Sequence, residues 1–137
     1  MVKTPDPEFN AAVRRFCNTL FPVGFDCVPD APDTFSDLAA TFTQTGRMVI
    51  TDKWVPEDHP AFEDAHTYRS FRAWHDWVHL LGGFQFTLAG ECGAAKFQKA
   101  ELAALYGQDK ADKWFSTLTD ELVLNNFGEC AVCEVAE

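Results

Sequence analysis

Basic residues are scarce in this chain of 137 residues. Eleven Lys and Arg stand against 21 Asp and Glu, which gives a formal net charge of −10 at pH 7. Because affinity for nucleic acid phosphates is built from clustered Lys and Arg, and the basic residues here are scattered, we expect no direct binding to nucleic acid. The acidic excess predicts a well-solvated surface, or an array of carboxylates that a basic partner protein recognises.

Long hydrophobic runs are missing as well. No segment approaches the ~20 consecutive apolar residues that span a bilayer. The N-terminal residues have neither the basic start nor the apolar run of a signal peptide. We therefore expect a soluble, cytoplasmic protein that does not enter a membrane.

Cysteines are too few and too irregularly spaced for a disulfide framework. The five are Cys17, Cys27, Cys92, Cys130 and Cys133. An odd number without the dense spacing of a secreted scaffold predicts that most are reduced thiols that act as small apolar groups. Cys130 and Cys133 have the spacing of half a zinc or redox motif, but no second pair or following His completes it, which favours two incidental thiols.

Apolar residues, by contrast, are abundant and regularly spaced. They make up 47% of the chain, enough for the core of a single domain covering residues 1–137. Spacings of three and four predict five helices, at about residues 6–20, 34–46, 64–81, 88–106 and 109–126. Loops are predicted at residues 22–32 and 55–62, a short strand or extended connector at 47–54, and a tail at 129–137. The predicted fold is mainly α, a compact bundle of about five helices with one possible short strand or hairpin.

A pair of histidines in the third helix carries the strongest chemical signal. His75 and His79 are four residues apart, so on a helix both imidazoles project from one face, as when a single helix gives two ligands to a divalent cation. Gly82 and Gly83 then break the helix and allow the chain to turn back. Glu91, in the first turn of the next helix, can reach the space above the pair. Two His and one carboxylate leave coordination positions open, as in catalytic sites.

Three more side chains complete the predicted site. Asp76 is a candidate general base, or a partner that orients an imidazole. Glu121 in the fifth helix is a candidate fourth ligand, and Gln98, seven residues after Glu91, is placed to line the cavity. The predicted cofactor is a divalent metal, Zn, Fe or Mn, that activates a bound water by lowering its pKa.

Other interpretations of the histidine pair remain open. Such a pair can arise by chance, and a hydrogen-bonded network without metal is the main alternative. Apolar residues cover much of the segment from 71 to 86, which predicts at least partly buried imidazoles, and buried polar groups need partners or a metal. Metallopeptidases with an HExxH motif carry Glu at the position of Asp76. HD-type phosphohydrolases share the adjacent His75 and Asp76, but no convincing spacing supplies their other ligands, and a di-iron site needs two Glu-x-x-His pairs, which the sequence does not supply.

A longer pattern surrounds the histidines. It comprises Phe71 to His79 (FRAWHDWVH), residues 86–91 (FTLAGE), Gln98, residues 106–107 and 114–121, with upstream pieces at 34–38 and 46–48. This pattern, which covers roughly residues 34–121, resembles small uncharacterised proteins encoded by tailed bacteriophages. The resemblance implies an origin, with the cytoplasm of an infected host as the location, and no mechanism. The pattern also has a Gly-Gln pair soon after the position of Glu121, where this chain reads LVLN, a departure that bears on Glu121.

Two functions follow from these observations. The first is a phage-encoded metal-binding protein, a metal-dependent hydrolase or alternatively an oxygen-using iron enzyme, with His75, His79 and Glu91 as ligands and a small-molecule substrate. The second is a non-enzymatic acidic accessory protein that binds and modulates a host protein. The sequence leaves the substrate, the metal and the oligomeric state open.

Overall fold

The computed structural model describes residues 6–32, 34–51 and 62–119, with side chains as far as residue 115. These ranges contain five helices and two strands: α1 (Pro7–Leu20), β1 (Asp26–Val28), α2 (Phe35–Thr45), β2 (Val49–Thr51), α3 (Ala65–Gly82), α4 (Leu88–Tyr106) and α5 (Gln108–Thr119). The predicted mainly α class is therefore confirmed. The chain divides into two units, residues 1–77 and 78–137, which are described in turn; the single domain expected from length stays a prediction.

Helix α1 begins where the sequence predicts. The Asp6 side chain accepts hydrogen bonds from the backbone N–H of Glu8 and Phe9, and Pro7 occupies the first turn, where its missing N–H costs nothing. Phe9 and Val13 lie on the buried face. The predicted amphipathic helix is thus confirmed, and its apolar face forms part of the core of the first unit.

A two-stranded parallel sheet joins the segments before and after α2. Cys27 of β1 lies opposite Ile50 of β2, so the two strands form no hairpin. The expectation that residues 22–32 are only a loop is wrong, because β1 lies within them, whereas the short strand expected at 47–54 is found. The Arg47 guanidinium donates two hydrogen bonds, of 2.9 and 3.0 Å, to the Asp26 carboxylate. These hydrogen bonds hold the pKa of the Asp26 carboxyl below its usual value. A strand of three residues is too short for an alternating pattern, which is why the sequence does not reveal β1.

Helix α3 contributes several buried aromatic side chains to the core of the first unit. The Asp64 carboxylate accepts hydrogen bonds of 2.7 Å from both the backbone N–H and the hydroxyl of Thr67, which caps the helix start. Phe71 and Trp74 are fully buried, and Phe16 of α1 stacks on Trp74 with 4.6 Å between ring centroids. These contacts anchor the helix that carries both histidines.

In the second unit, α4 packs against α5. Helix α4 begins at its Thr87 cap, whose hydroxyl accepts from the Gly90 N–H, and ends at Gly107, as predicted. Lys99 links it to α5 through a 3.0 Å ion pair with Asp112. Helix α5 is described as far as Thr119, so the expected continuation to residue 126, the loop at 55–61 and the tail at 129–137 lie outside the described residues.

The structure distinguishes among the cysteines. Cys17 and Cys27 are reduced, as expected, and burial raises the pKa of the Cys17 thiol. Cys92 is disulfide-bonded and so does not belong to the reduced majority that the sequence predicts. Cys130 and Cys133 lie outside the described residues. Among the helices that the structure describes, none combines the length and the apolar character required to cross a bilayer.

Candidate metal centre

Three side chains predicted as metal ligands come together. His75, His79 and Glu91 each offer one ligand atom, and these atoms all lie within 4.8 Å of one another. The three residues are 1%, 0% and 6% exposed. Among the described residues, this is the one group of three or more His, Cys, Asp or Glu side chains that could hold a metal ion.

Both imidazoles come from α3. Helix α3 runs from Ala65 to Gly82. The separation of His75 and His79 is therefore set by helix geometry, which places residues i and i+4 about one turn apart on one face. The His75 ring lies parallel to that of Phe71, with 6.2 Å between centroids.

The end of α3 places a backbone carbonyl against the second histidine. Gly83 adopts a left-handed conformation with φ of +69°, and the Phe84 N–H donates to the His79 carbonyl at 3.0 Å. This six-to-one hydrogen bond after a left-handed glycine is the Schellman way of ending a helix. It turns the chain back so that Phe84 lies over the last turn, next to the His79 side chain.

The hydrogen bond from His79 to this turn settles which nitrogen carries hydrogen. Nδ1 of His79 lies 2.6 Å from the Phe84 carbonyl oxygen, which can only accept. Nδ1 is therefore the donor, and in the neutral ring Nε2 keeps its lone pair. Histidines that bind metals are commonly oriented in this way, with the second ring nitrogen donating to a carbonyl or carboxylate.

The remaining nitrogen faces the carboxylate. Nε2 of His79 lies 3.2 Å from Oε1 of Glu91. A lone pair and a carboxylate oxygen are both acceptors, so this contact needs either a shared proton or a cation between them. For metal–ligand distances of about 2.0–2.2 Å, adjacent ligands are separated by roughly 2.8–3.1 Å around an octahedral ion and by roughly 3.3–3.6 Å around a tetrahedral one. The observed separation therefore fits two neighbouring ligands of one ion.

The surroundings of this pair are apolar on one side and electropositive on the other. The Phe86 ring stands edge-on to His79, with 4.7 Å between centroids and an interplanar angle of 87°. Glu91 occupies the first turn of α4, where the unsatisfied N–H groups of the helix start stabilise negative charge. Low dielectric around a buried group strengthens its attraction to a cation.

The other predicted site residues, Asp76, Gln98 and Glu121, do not belong to this ligand group in the described part of the chain. Asp76 lies on α3 between the two histidines and is half-buried, but it is outside the ligand group. Gln98 is fully buried on α4, two turns beyond Glu91 on the same face. Glu121 lies outside the described residues. Its role as a ligand and the role of Asp76 as a base both stay predictions.

Sequence reasoning missed the contribution of the turn after α3. The Phe84 carbonyl is a backbone group, so no residue type signals it. The glycine pair before it did predict a helix end, and a Schellman turn there would have placed a carbonyl near the last histidine. Phe86, whose ring contacts that of His79, belongs to the longer sequence pattern at residues 86–91 but is not among the predicted site residues.

Comparison with known proteins leaves the site as the guide to function. The sequence matches no protein-family model and no curated protein, and the structure matches no solved structure. Fold and site together define a mainly helical protein with a buried His/His/Glu group that could bind a metal. The resemblance to proteins of tailed bacteriophages stays a prediction.

Proposed function

We propose that this chain is a metal-dependent hydrolase, encoded by a tailed bacteriophage, that holds one divalent cation with His75, His79 and Glu91. The observation that carries the proposal is the pair of contacts at His79. Its Nδ1 donates to the Phe84 carbonyl, and its Nε2 faces the Glu91 carboxylate at 3.2 Å, with no hydrogen of its own in the neutral ring.

The number and type of the ligands favour a catalytic ion. Three protein ligands leave at least one position for water or substrate, whereas structural zinc sites are closed by four. Imidazole and carboxylate together suit Zn, Fe or Mn, while Ca and Mg prefer sites made of oxygen alone. A bound ion of this kind would lower the pKa of a coordinated water toward neutrality and so supply a nucleophile for ester or phosphoester cleavage.

The chain's own residues supply the rest of the chemistry. His75 and His79 orient the cation from one helix, and Glu91 neutralises part of its charge from the next. Asp76 is assigned the role of general base, because it follows His75 on the same helix and its half-buried carboxylate keeps access to water. The Phe86 ring, which contacts the His79 ring, limits access to His79 from its side.

Metal analysis of protein made without a histidine tag tests the proposal. After incubation with Zn, Fe or Mn and dialysis, elemental analysis should find about one ion per chain, and His79→Ala should retain none. His66→Ala is the matched control, because His66 lies on the same helix but is exposed. A parent chain that emerges metal-free, or a His79→Ala variant that binds as well as the parent, contradicts the proposal.

Activity is tested separately from binding. The metal-loaded chain should hydrolyse 4-nitrophenyl acetate or bis(4-nitrophenyl) phosphate faster than the same chain after treatment with a chelator. Equal rates with and without metal would leave a metal-binding protein that is not a hydrolase.

The net charge of −10 favours a second function, that of an accessory protein whose acidic surface binds a basic host protein. Its signature is recovery of a basic protein from host lysate at low salt and its release at high salt, since salt screens exposed charges. Recovery of no such protein at low salt would rule against this alternative.

A further inference from the structure

The ring of Phe84 occupies a slot between two glycines. A Cβ added to Gly82 would lie 2.7 Å from Cδ2 of this ring, and one added to Gly93 would lie 2.8 Å from Cδ1 and Cε1. These atoms belong to opposite edges of the ring. Any larger residue at either position would have to displace the ring, since real Cβ atoms do not approach other atoms so closely.

The same residue holds His79 through its backbone at two points. Its N–H donates to the His79 carbonyl at 3.0 Å, and its carbonyl accepts from Nδ1 of the His79 ring at 2.6 Å. A displacement of Phe84 therefore moves the acceptor that orients the imidazole. Because Nδ1 and Nε2 are fixed in one planar ring, loss of that hydrogen bond also frees Nε2 to turn away from Glu91.

Gly93 connects this slot to the other ligand. It lies on α4 two residues after Glu91, so the ring that contacts Gly93 also sets how closely the start of α4 approaches the turn after α3. Gly90 gives a second sign that the start of α4 lies close to the turn after α3. A Cβ at Gly90 would overlap the backbone carbonyl of Gln85, which belongs to that turn. One aromatic side chain thus touches the helix of Glu91 while its backbone holds His79.

We infer that Phe84, seated between Gly82 and Gly93, is a positioning residue of the metal centre, which sets the orientation of His79 relative to Glu91. This inference rests on the proposed function only in assuming that the site binds metal. It predicts that Gly93, which offers no ligand atom, controls metal affinity through the Phe84 ring.

Cobalt binding provides the test, because the visible spectrum of Co²⁺ reports the geometry of its ligands. Gly93→Ala should weaken Co²⁺ binding by about 10–100-fold, as the loss of groups that orient metal ligands generally does, and should alter the absorption bands of the bound ion. A purely structural role for Gly93 predicts a different result, in which stability changes while the spectrum and affinity of the bound ion do not. That result would overturn the inference.

Two further variants test whether Gly93→Ala acts through the Phe84 ring or through α4 itself. Phe84→Leu in the Gly93→Ala background relieves the overlap but keeps the backbone carbonyl, so it should restore part of the Co²⁺ affinity. Phe115→Leu is the matched control, because Phe115 is a half-buried aromatic residue of α5 whose ring contacts Nζ of Lys99. It should keep the parent spectrum. Failure of the double variant to recover, or an equal loss in Phe115→Leu, would count against the inference.

A measurement without metal keeps the inference testable if the parent binds no Co²⁺, the outcome that would contradict the proposed function. Nitrogen chemical shifts of the histidine rings distinguish the two neutral tautomers. In the metal-free parent, His79 should carry hydrogen on Nδ1, and Gly93→Ala should shift it toward a mixture of tautomers. An unchanged His79 tautomer in Gly93→Ala would show that the glycine slot does not orient this ring.

Discussion

The carbonyl oxygen of Phe84 lies 2.6 Å from Nδ1 of His79, and this contact decides what the rest of the site can do. It leaves Nε2 as an acceptor opposite the Glu91 carboxylate, 3.2 Å away. Two acceptors in a buried position repel unless something positive lies between them. A proton or a divalent cation meets that requirement, and the predictions below distinguish the two.

Replacing Glu91 with Gln separates metal binding from packing. The Gln amide has nearly the same shape, and its NH₂ can donate to Nε2 of His79, so the metal-free variant keeps a hydrogen bond between the two side chains and should stay folded. Metal affinity should fall steeply because the charged ligand is gone. Calorimetric metal titration and thermal unfolding in chelator give the two values. Glu101→Gln on the same helix is the control and should bind like the parent; a metal affinity of Glu91→Gln equal to that of the parent would exclude Glu91 as a ligand.

His75 should contribute to the thermal response to metal. A ligand that binds the native state alone stabilises it by about 2.7 kcal/mol at a free concentration of 100 times its Kd. The parent should therefore melt at a higher temperature with metal than with chelator, and His75→Ala should reduce that difference. Comparing the two conditions within each variant removes the cost of the cavity that Ala leaves. An undiminished difference in His75→Ala would exclude this residue as a ligand.

Asp76 should affect turnover more than binding. If its carboxylate accepts a proton during hydrolysis, Asp76→Asn should lower kcat by about 10²–10⁴-fold, the usual contribution of a positioned general base, and leave the metal content unchanged. Steady-state kinetics with elemental analysis of the same samples provide the comparison. Equal loss of metal and activity would show instead that Asp76 acts by supporting the ligands.

The sequence predicts the helices and the three candidate ligands, because both depend on the spacing of residues that are close together in the chain. His75 and His79 share a face by helical periodicity alone, and the predicted bounds of α4, residues 88–106, are those that the structure has. Glu91 followed from its place in the first turn after a glycine-broken bend. All these inferences span fewer than twenty residues, within which chain geometry restricts the possibilities.

The features that sequence did not reveal depend on backbone groups or on residues far apart in the chain. Strand β1 exists because Cys27 pairs with Ile50 across the intervening α2, and three residues carry no pattern of their own. The orientation of His79 depends on a carbonyl that every residue type possesses. The slot for the Phe84 ring depends on the missing side chain of Gly93, and nothing in a helical sequence marks which glycine is needed for close packing.

Gly83 and Gly46 form a matched pair for testing the turn after α3. Both have φ of +69° and open space where a Cβ would lie, so Ala should strain the backbone equally, by about 1–2 kcal/mol, at either position. Only Gly83 precedes Phe84, so only Gly83→Ala should also weaken metal binding. Denaturant unfolding and metal titration of both variants provide the test. Equal metal affinity in the two variants would show that the turn does not set the site.

The pairing of Asp26 with Arg47 predicts how acid affects the first unit. Hydrogen bonding to the guanidinium lowers the pKa of the Asp26 carboxyl in the folded chain, so the folded state binds that proton less readily than the unfolded state. The resulting stabilisation is present above the unfolded pKa of about 3.9 and is lost as pH falls through the lower folded value. Asp26→Asn should therefore be less stable than the parent at pH 7 and should approach it near pH 2. Arg47→Gln should show the same convergence, because it removes the pair from the other side. Parallel stability profiles for parent and Asp26→Asn between pH 7 and pH 2 would contradict this, since a carboxylate with equal pKa in both states cannot change stability with pH.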